Sequence, residues 1–285
     1  AAPVVTYNEV RTDGTCPNSY TLTRTWTATD VCANASSKTQ VITVQDITNP
    51  VLSAAPADVT VECDAVPTPA TLTVTDNCDA APIVTFNEVR TDGSCANSYT
   101  LTRTWTATDI CANASSKTQV ITVQDITNPV LSAAPADVTV ECDAVPTPAT
   151  LTVTDNCDAA PIVTFNEVRT DGSCANSYTL TRTWTATDIC ANASSKTQVI
   201  TVQDITAPML SDAPADVTVE CNSVPAAATL TATDNCDAAP VVTYNEVRTD
   251  GTCPNSYTLT RTWTATDVCA NASSKTQVIT VQDIT

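Results

Sequence analysis

The sequence predicts an all-β fold: tandem immunoglobulin-like antiparallel β-sandwich domains on a 79-residue repeat, set end to end as a rod. Three observations predict it. Residues 51–127 recur letter for letter as 130–206, residues 209–285 are a close variant, and 1–48 are identical to 238–285. Within each repeat, apolar and polar residues alternate in short runs rich in Thr and Val, the pattern of half-buried strands. Pro, Asn, Asp and Gly punctuate those runs at fixed offsets, where turns belong.

The elements follow in order along the first full repeat. Val59, Val61 and Cys63 form one period-two run, and Leu72 with Val74 another. Val84 and Phe86 make a third, Tyr99, Leu101, Trp105 and Ala107 a long fourth, and Ile121 with Val123 the last. No segment carries a helical period of useful length. Five or more strands in a unit this small, with regular turns, describe a two-sheet antiparallel sandwich. Trp105 is the expected centre of the core, with the aliphatic stem of Arg103 covering its edge. Thr91, Asp92 and Gly93 mark a tight turn. The outward row Thr100, Thr102, Thr104, Thr106 and Thr108 reads as strand propensity.

Boundaries fall at Asp46–Pro50, Asp125–Pro129 and Asp204–Pro208. The expected domains are a partial repeat at 1–48 and full repeats at 49–127, 128–206 and 207–285. Linkers this short, each holding a Pro, are stiff. Because both ends fall inside the period, the chain is expected to be an excerpt of a longer periodic polypeptide.

A net charge of −19 argues against nucleic acid or an anionic membrane surface as partner, since both reward positive charge. No run approaches the roughly 18 apolar residues that cross a membrane, so no membrane insertion is expected of this segment. There is no His, which removes the usual general base near neutral pH. The carboxylates recur in every repeat within turn sequences. No catalytic residue is assigned, and the chain is not expected to be an enzyme.

Each full repeat holds four Cys, such as Cys63, Cys78, Cys95 and Cys111, and the leading fragment adds Cys16 and Cys32. An even count without His, and without close C-x-x-C pairs, favours disulfides over zinc. Persistent disulfides require an oxidising location, so the chain is expected to be secreted, periplasmic or on a cell surface, with the extracellular cell surface the assigned place. Four cysteines permit three connectivities. Strand direction puts Cys63 and Cys95 at one end of the repeat and Cys78 and Cys111 at the other. The expected pairs are therefore Cys63–Cys95 and Cys78–Cys111, then Cys142–Cys174, Cys157–Cys190, Cys221–Cys253 and Cys236–Cys269. On this map Cys16 and Cys32 lack partners within the chain.

Three stretches carry a family resemblance: Thr75 to Asp79 (TDNCD), Thr102 to Asp109 (TRTWTATD) and Val120 to Asp125 (VITVQD). They resemble the hyalin-repeat (HYR-like) family, especially its Cys-containing versions in very large surface proteins of Bacteroidetes, including gliding-motility-associated adhesins. The usual Gly-Asn after the Thr-Asp motif is Ala112-Asn113 here. The resemblance covers every repeat. It implies an immunoglobulin-like fold and an adhesive or stalk role, with no enzymatic activity.

The remaining chemistry is cationic. Asp76, Asn77, Asp79, Asp109 and Asn113 lie in loops at the end of the repeat that meets the linker residues Asp46 and Asn49. The acid before the cysteine and the turn Asp (Asp13 in the fragment) approach from the preceding repeat. Oxygen ligands gathered in this way suit calcium, which takes six to eight. The equivalent sets are Asp125, Asn128, Asp155, Asp158 and Asp188, then Asp204, Asp234, Asp237 and Asp267, where Ala207 replaces the linker Asn. The competing reading is that these residues cap turns. Asn34, Asn113, Asn192 and Asn271 stand in N-x-Ser sequons, which matter only in a eukaryotic secretory context.

Together these readings describe a structural segment of a long extracellular filament or adhesin stalk. Intradomain disulfides and interdomain calcium would stiffen it. The alternatives are a self-assembling fibre subunit joined by strand complementation, and a multivalent adhesin. Partners would be other copies of the same repeats, and a surface or glycan ligand.

Overall fold

In the computed structural model of the chain, residues 1–282 are described; the last three positions of the repeat expected at 207–285 lie outside them. The fold is all-β, with sandwich-type sheets that recur with the sequence period.

The leading fragment forms β1 (Val4–Asp13), β2 (Tyr20–Thr29) and β3 (Ala35–Val44). The first full repeat forms β4 (Val51–Leu52), β5 (Val59–Glu62), β6 (Val74–Thr75), β7 (Ile83–Asp92), β8 (Tyr99–Thr108) and β9 (Ala114–Gln124). Its larger sheet has the order β5-β9-β8-β7, with β5 parallel to β9 and the other pairs antiparallel. Its smaller sheet pairs β4 with β6, Leu52 opposite Val74. The next two repeats repeat both sheets.

The hairpin between β7 and β8 closes where the Gly93 N–H donates to the Ser98 carbonyl at 2.7 Å. A Cβ on Gly93 would stand 2.5 Å from that carbonyl oxygen, so the turn requires glycine. The loop from β8 to β9 turns on Ala112, whose φ of 68° lies in the left-handed region. A Cβ there costs about 1–2 kcal/mol relative to glycine.

Alternation along β8 sends Leu101, Arg103, Trp105 and Ala107 inward, and the Thr row stays half-buried on the other face. Trp105 is 2% exposed and packs with Leu52, Leu72 and Ala107 between the two sheets. Its indole N–H donates to the Ala70 carbonyl at 3.0 Å. Burying an indole removes about 150–250 Å² from water, worth roughly 4–6 kcal/mol. Leu101, Ile121 and Val123 form a second cluster with Val61 and Tyr99 against it.

Three details differ from the sequence expectation. Leu72 is buried but lies outside any strand, and β4 is too short to show a period. Phe86 is 45% exposed, tilted against Trp105 with ring centroids 5.4 Å apart. Arg103 is wholly buried instead of edging the core: its guanidinium pairs with Glu88 at 2.7 Å and donates to the Pro67 carbonyl at 2.8 Å. In the fragment Trp26 is 37% exposed, because nothing there stands in for Leu52 and Leu72.

The chain divides into two compact units that cut across the sequence repeats. One is Ala1–Asn128 with Asp155–Ala160 and Asp188–Asn192; the other is Pro129–Thr154, Pro161–Thr187 and the chain from Ala193 onward. The first therefore takes in two loops of the following repeat. Those two loops carry acids and cysteines that bond to the repeat before them.

Candidate metal centre and the disulfides around it

The loop acids first build their own loops. Asp109 Oδ1 accepts from the backbone N–H groups of Cys111 and Asn113, and Asp76 Oδ1 from those of Cys78 and Asp79. These are Asx turns, so the turn-capping reading holds for one oxygen of each carboxylate. Asp46, Asp76 and Asp109 bring carboxylate oxygens within 4.8 Å of one another. Asp125, Asp155 and Asp188 do the same, as do Asp204, Asp234 and Asp267.

In these triads Asp46 Oδ2, Asp76 Oδ2, Asp125 Oδ2, Asp155 Oδ2 and Asp234 Oδ2 are buried without any hydrogen-bond donor. Among the described residues, no ion pair involves a triad member. A buried carboxylate oxygen with no donor is costly, about 1–3 kcal/mol or more when charged. In each of the first two triads two such oxygens stand beside a third carboxylate, and a cation held there would offset that cost.

Burial, and then the charges of Asp188 and Asp155, hold the Asp125 carboxyl above the ordinary carboxylate range. Burial raises Asp204 in the same way, with Asp267, Asp234 and Glu141 adding to it while a bond from Asn176 opposes. The Cys78 thiol is pushed up by burial and by Asp46, Asp76 and Asp109. Glu62 approaches Asp125, and Glu141 approaches Asp204, each within the same 4.8 Å limit. This is the acid before the cysteine that the sequence placed near the linker. The all-oxygen donor set, hard and anionic, fits calcium.

Other predicted ligands do not join the triads. Asp79 ties its own loop, accepting from Ala81 through Oδ1 and from the Ile110 N–H through Oδ2. Asp158 and Asp237 repeat this arrangement. Asp13 pairs with Arg11 at the surface. Asn113 turns its amide nitrogen inward, donating to Asp109 Oδ2 and to the Asp46 carbonyl, so it holds the cluster together. Asn192 and Asn271 do the same for Asp125 and Asp204. Sequence reasoning missed Asn97, whose amide donates to the Cys157 carbonyl at 3.0 Å. An isolated Asn in a loop carries no sequence signal of such a contact.

The disulfides surround this cluster, and their pairing overturns the expected map. The bonds are Cys16–Cys111, Cys63–Cys157, Cys95–Cys190, Cys142–Cys236 and Cys174–Cys269. None of the pairs Cys63–Cys95, Cys78–Cys111, Cys142–Cys174, Cys157–Cys190, Cys221–Cys253 or Cys236–Cys269 forms. The two members of each expected pair do sit at the same end of a repeat. The sheet order then separates Cys63, after the edge strand β5, from Cys95, in the β7–β8 loop. With β9 and β8 between them, at about 4.8 Å per strand, they stand about 12 Å apart, beyond the 7 Å reach of a disulfide.

Each of the five bonds instead joins one repeat to a loop of the next, with Cα separations of 5.2 or 5.7 Å. Cys16, expected to lack a partner, is paired. Cys32, Cys78, Cys221 and Cys253 are free and exposed. Each bond spans 94 or 95 residues. Closing a loop that long in the unfolded chain stabilises the fold by about 4–5 kcal/mol.

No curated protein matches the chain. Among solved structures, the protocadherin gammaB4 extracellular domain is similar at 15% identity, covering 99% of this chain and 60% of that one, with a TM-score of 0.42. The chain thus spans 60% of the length of that relative. Protocadherin gamma B2 extracellular cadherin domains 1-5 are similar at 16% identity, covering 100% of this chain and 74% of that one, with a TM-score of 0.38. Mouse cadherin-23 EC22-24 matches at 15% identity over 83% of this chain and 99% of that one, also at 0.38. Residues 51–123 and 130–202 match the family described as the HYR-like domain with 4 cysteines. Those two stretches are more than half of the sequence, and each holds four cysteines at the spacing just traced. The chain belongs to the family of HYR-like domains with four cysteines.

Proposed function

We propose that this chain is a structural segment of a long extracellular cell-surface filament or adhesin stalk, in which calcium at the Asp triads and disulfides between consecutive repeats fix one repeat to the next. The observation that carries the calcium reading is the gathering of three carboxylates within 4.8 Å in each triad, with two buried oxygens lacking a donor in each of the first two and one, on Asp234, in the third. A dication bound there neutralises mutual repulsion and ties linker to loop. Asp46, Asp76 and Asp109 would hold one ion, Asp125, Asp155 and Asp188 a second, and Asp204, Asp234 and Asp267 a third. At the third, Asp204 Oδ2 is taken by Asn176 at 3.4 Å, so binding there is weaker.

The extracellular assignment rests on the disulfides, which persist only in oxidising surroundings. Repetition of one module favours a spacer over a single binding site. A place among gliding-motility adhesins of Bacteroidetes is part of this proposal and rests on the sequence resemblance. The reading includes no catalysis.

Calorimetric titration of the full oxidised chain with calcium tests it. The expected result is saturable binding, two tighter sites and one weaker, with a raised melting temperature. Absence of binding at millimolar calcium, with an unchanged melting temperature, would overturn the calcium reading.

A further inference from the structure

We propose that the disulfides form a second, shorter covalent backbone, so that the chain carries tension without paying out its repeats when they unfold. The inference holds whether or not calcium binds, because it uses only the pairing of the cysteines.

The bonds Cys16–Cys111, Cys95–Cys190 and Cys174–Cys269 all join one loop class to another in the next repeat. A covalent path therefore runs from Ala1 to Cys16, across to Cys111, and back along the chain to Cys95. From there it crosses to Cys190, returns to Cys174, crosses to Cys269 and continues to the C-terminus. In the two repeats that it crosses between cysteines it uses only the segments Cys95 to Cys111 and Cys174 to Cys190, about 16 residues each, and bypasses the rest. A second path uses Cys63–Cys157 and Cys142–Cys236, and needs about 15 residues, Cys142 to Cys157, in the repeat it crosses.

The magnitudes are far apart. An unfolded repeat of 79 residues reaches about 280 Å, whereas the 16-residue segment reaches about 56 Å. Ten residues of that segment are already extended as Tyr99–Thr108 or Tyr178–Thr187, about 34 Å long. Little slack remains to be released.

The segment under load is also the best held. Tyr99–Thr108 is bonded along its length to strands on both sides and carries Leu101, Arg103, Trp105 and Ala107. Force applied at its two ends shears both ladders at once, so their hydrogen bonds resist together instead of opening one by one.

The test is force–extension of the full chain held by its two ends, in denaturant so that folding adds nothing to the length. The oxidised chain is compared with one reduced and blocked. The bypass predicts a fully stretched length of about 240 Å oxidised and about 1,000 Å reduced. Cys174→Ser should lengthen the oxidised chain to about 340 Å, because the shortest path then runs from Cys111 along the backbone to Cys142, crosses to Cys236 and follows the backbone to the C-terminus. Cys32→Ser, at a free cysteine, should leave it at about 240 Å. Disulfides confined within repeats would give about 670 Å. That length, or an oxidised chain as long as the reduced one, would overturn the proposal.

Discussion

Asp125→Asn separates a cation site from a set of turn caps, because the two assign it opposite signs in chelator. Asn keeps the Oδ1 acceptor and the shape of the side chain, but removes the charge beside Asp155 and Asp188. At 4.8 Å, two carboxylates repel by about 3.5 kcal/mol at an effective dielectric of 20, and by about 0.9 kcal/mol at that of water. Proton uptake limits the effect: a carboxyl cannot be destabilised at pH 7 by more than about 4 kcal/mol before it protonates instead. The substitution should therefore stabilise the chain in chelator by about 1–3 kcal/mol. With calcium a hundredfold above its Kd, the ion adds about 2.7 kcal/mol to the native chain, most of which the variant forgoes. Guanidinium unfolding followed by Trp fluorescence, in chelator and in calcium, gives both numbers. Destabilisation by the same amount in both conditions would refute the reasoning and leave Asp125 a hydrogen-bond acceptor.

Other outcomes follow from the same geometry. Without a divalent cation, the raised Asp125 and Asp204 carboxyls bind protons more tightly folded than unfolded. Their contribution to stability therefore rises as pH falls from neutral towards the carboxylate range, a trend Asp125→Asn should reduce in pH-dependent melting. Trp105→Ala should cost about 3–5 kcal/mol, because it opens a cavity between the sheets and strands the Ala70 carbonyl. Glu88→Gln, which removes the charge beside a buried guanidinium, should cost about 1–2 kcal/mol after allowing for the exposure of Glu88, and Asp92→Asn at a surface pair less than about 0.5 kcal/mol; equilibrium unfolding checks all three. Alkylation of the unreduced native chain should mark Cys32, Cys78, Cys221 and Cys253 and no other cysteine, read by mass spectrometry after digestion.

The local half of this structure was legible in the sequence. Period-two alternation over Tyr99–Thr108 and Ile121–Val123, with Trp105 as the core, is a property of one strand and its inward face, and burial follows it closely. The same strand directions placed Cys63 with Cys95, and Cys78 with Cys111, at opposite ends of the repeat. Asp76 and Asp109 were recognisable as loop acids beside the linker acid Asp46 for the same reason. Leu72 and the short strand Val51–Leu52 were harder, because two residues are too few to show a period.

What the sequence determined by itself was the repeated all-β unit, its core and the ends of the unit at which acids and cysteines gather. Which cysteine bonds to which, and which of the Asp oxygens are left without a donor, only the tertiary structure decided. Both depend on lateral distance across a sheet and on where the next repeat's loops arrive, and the spacing of residues along one strand encodes neither. Two strands stand between Cys63 and Cys95, and that separation turns a staple within a repeat into a bond between repeats.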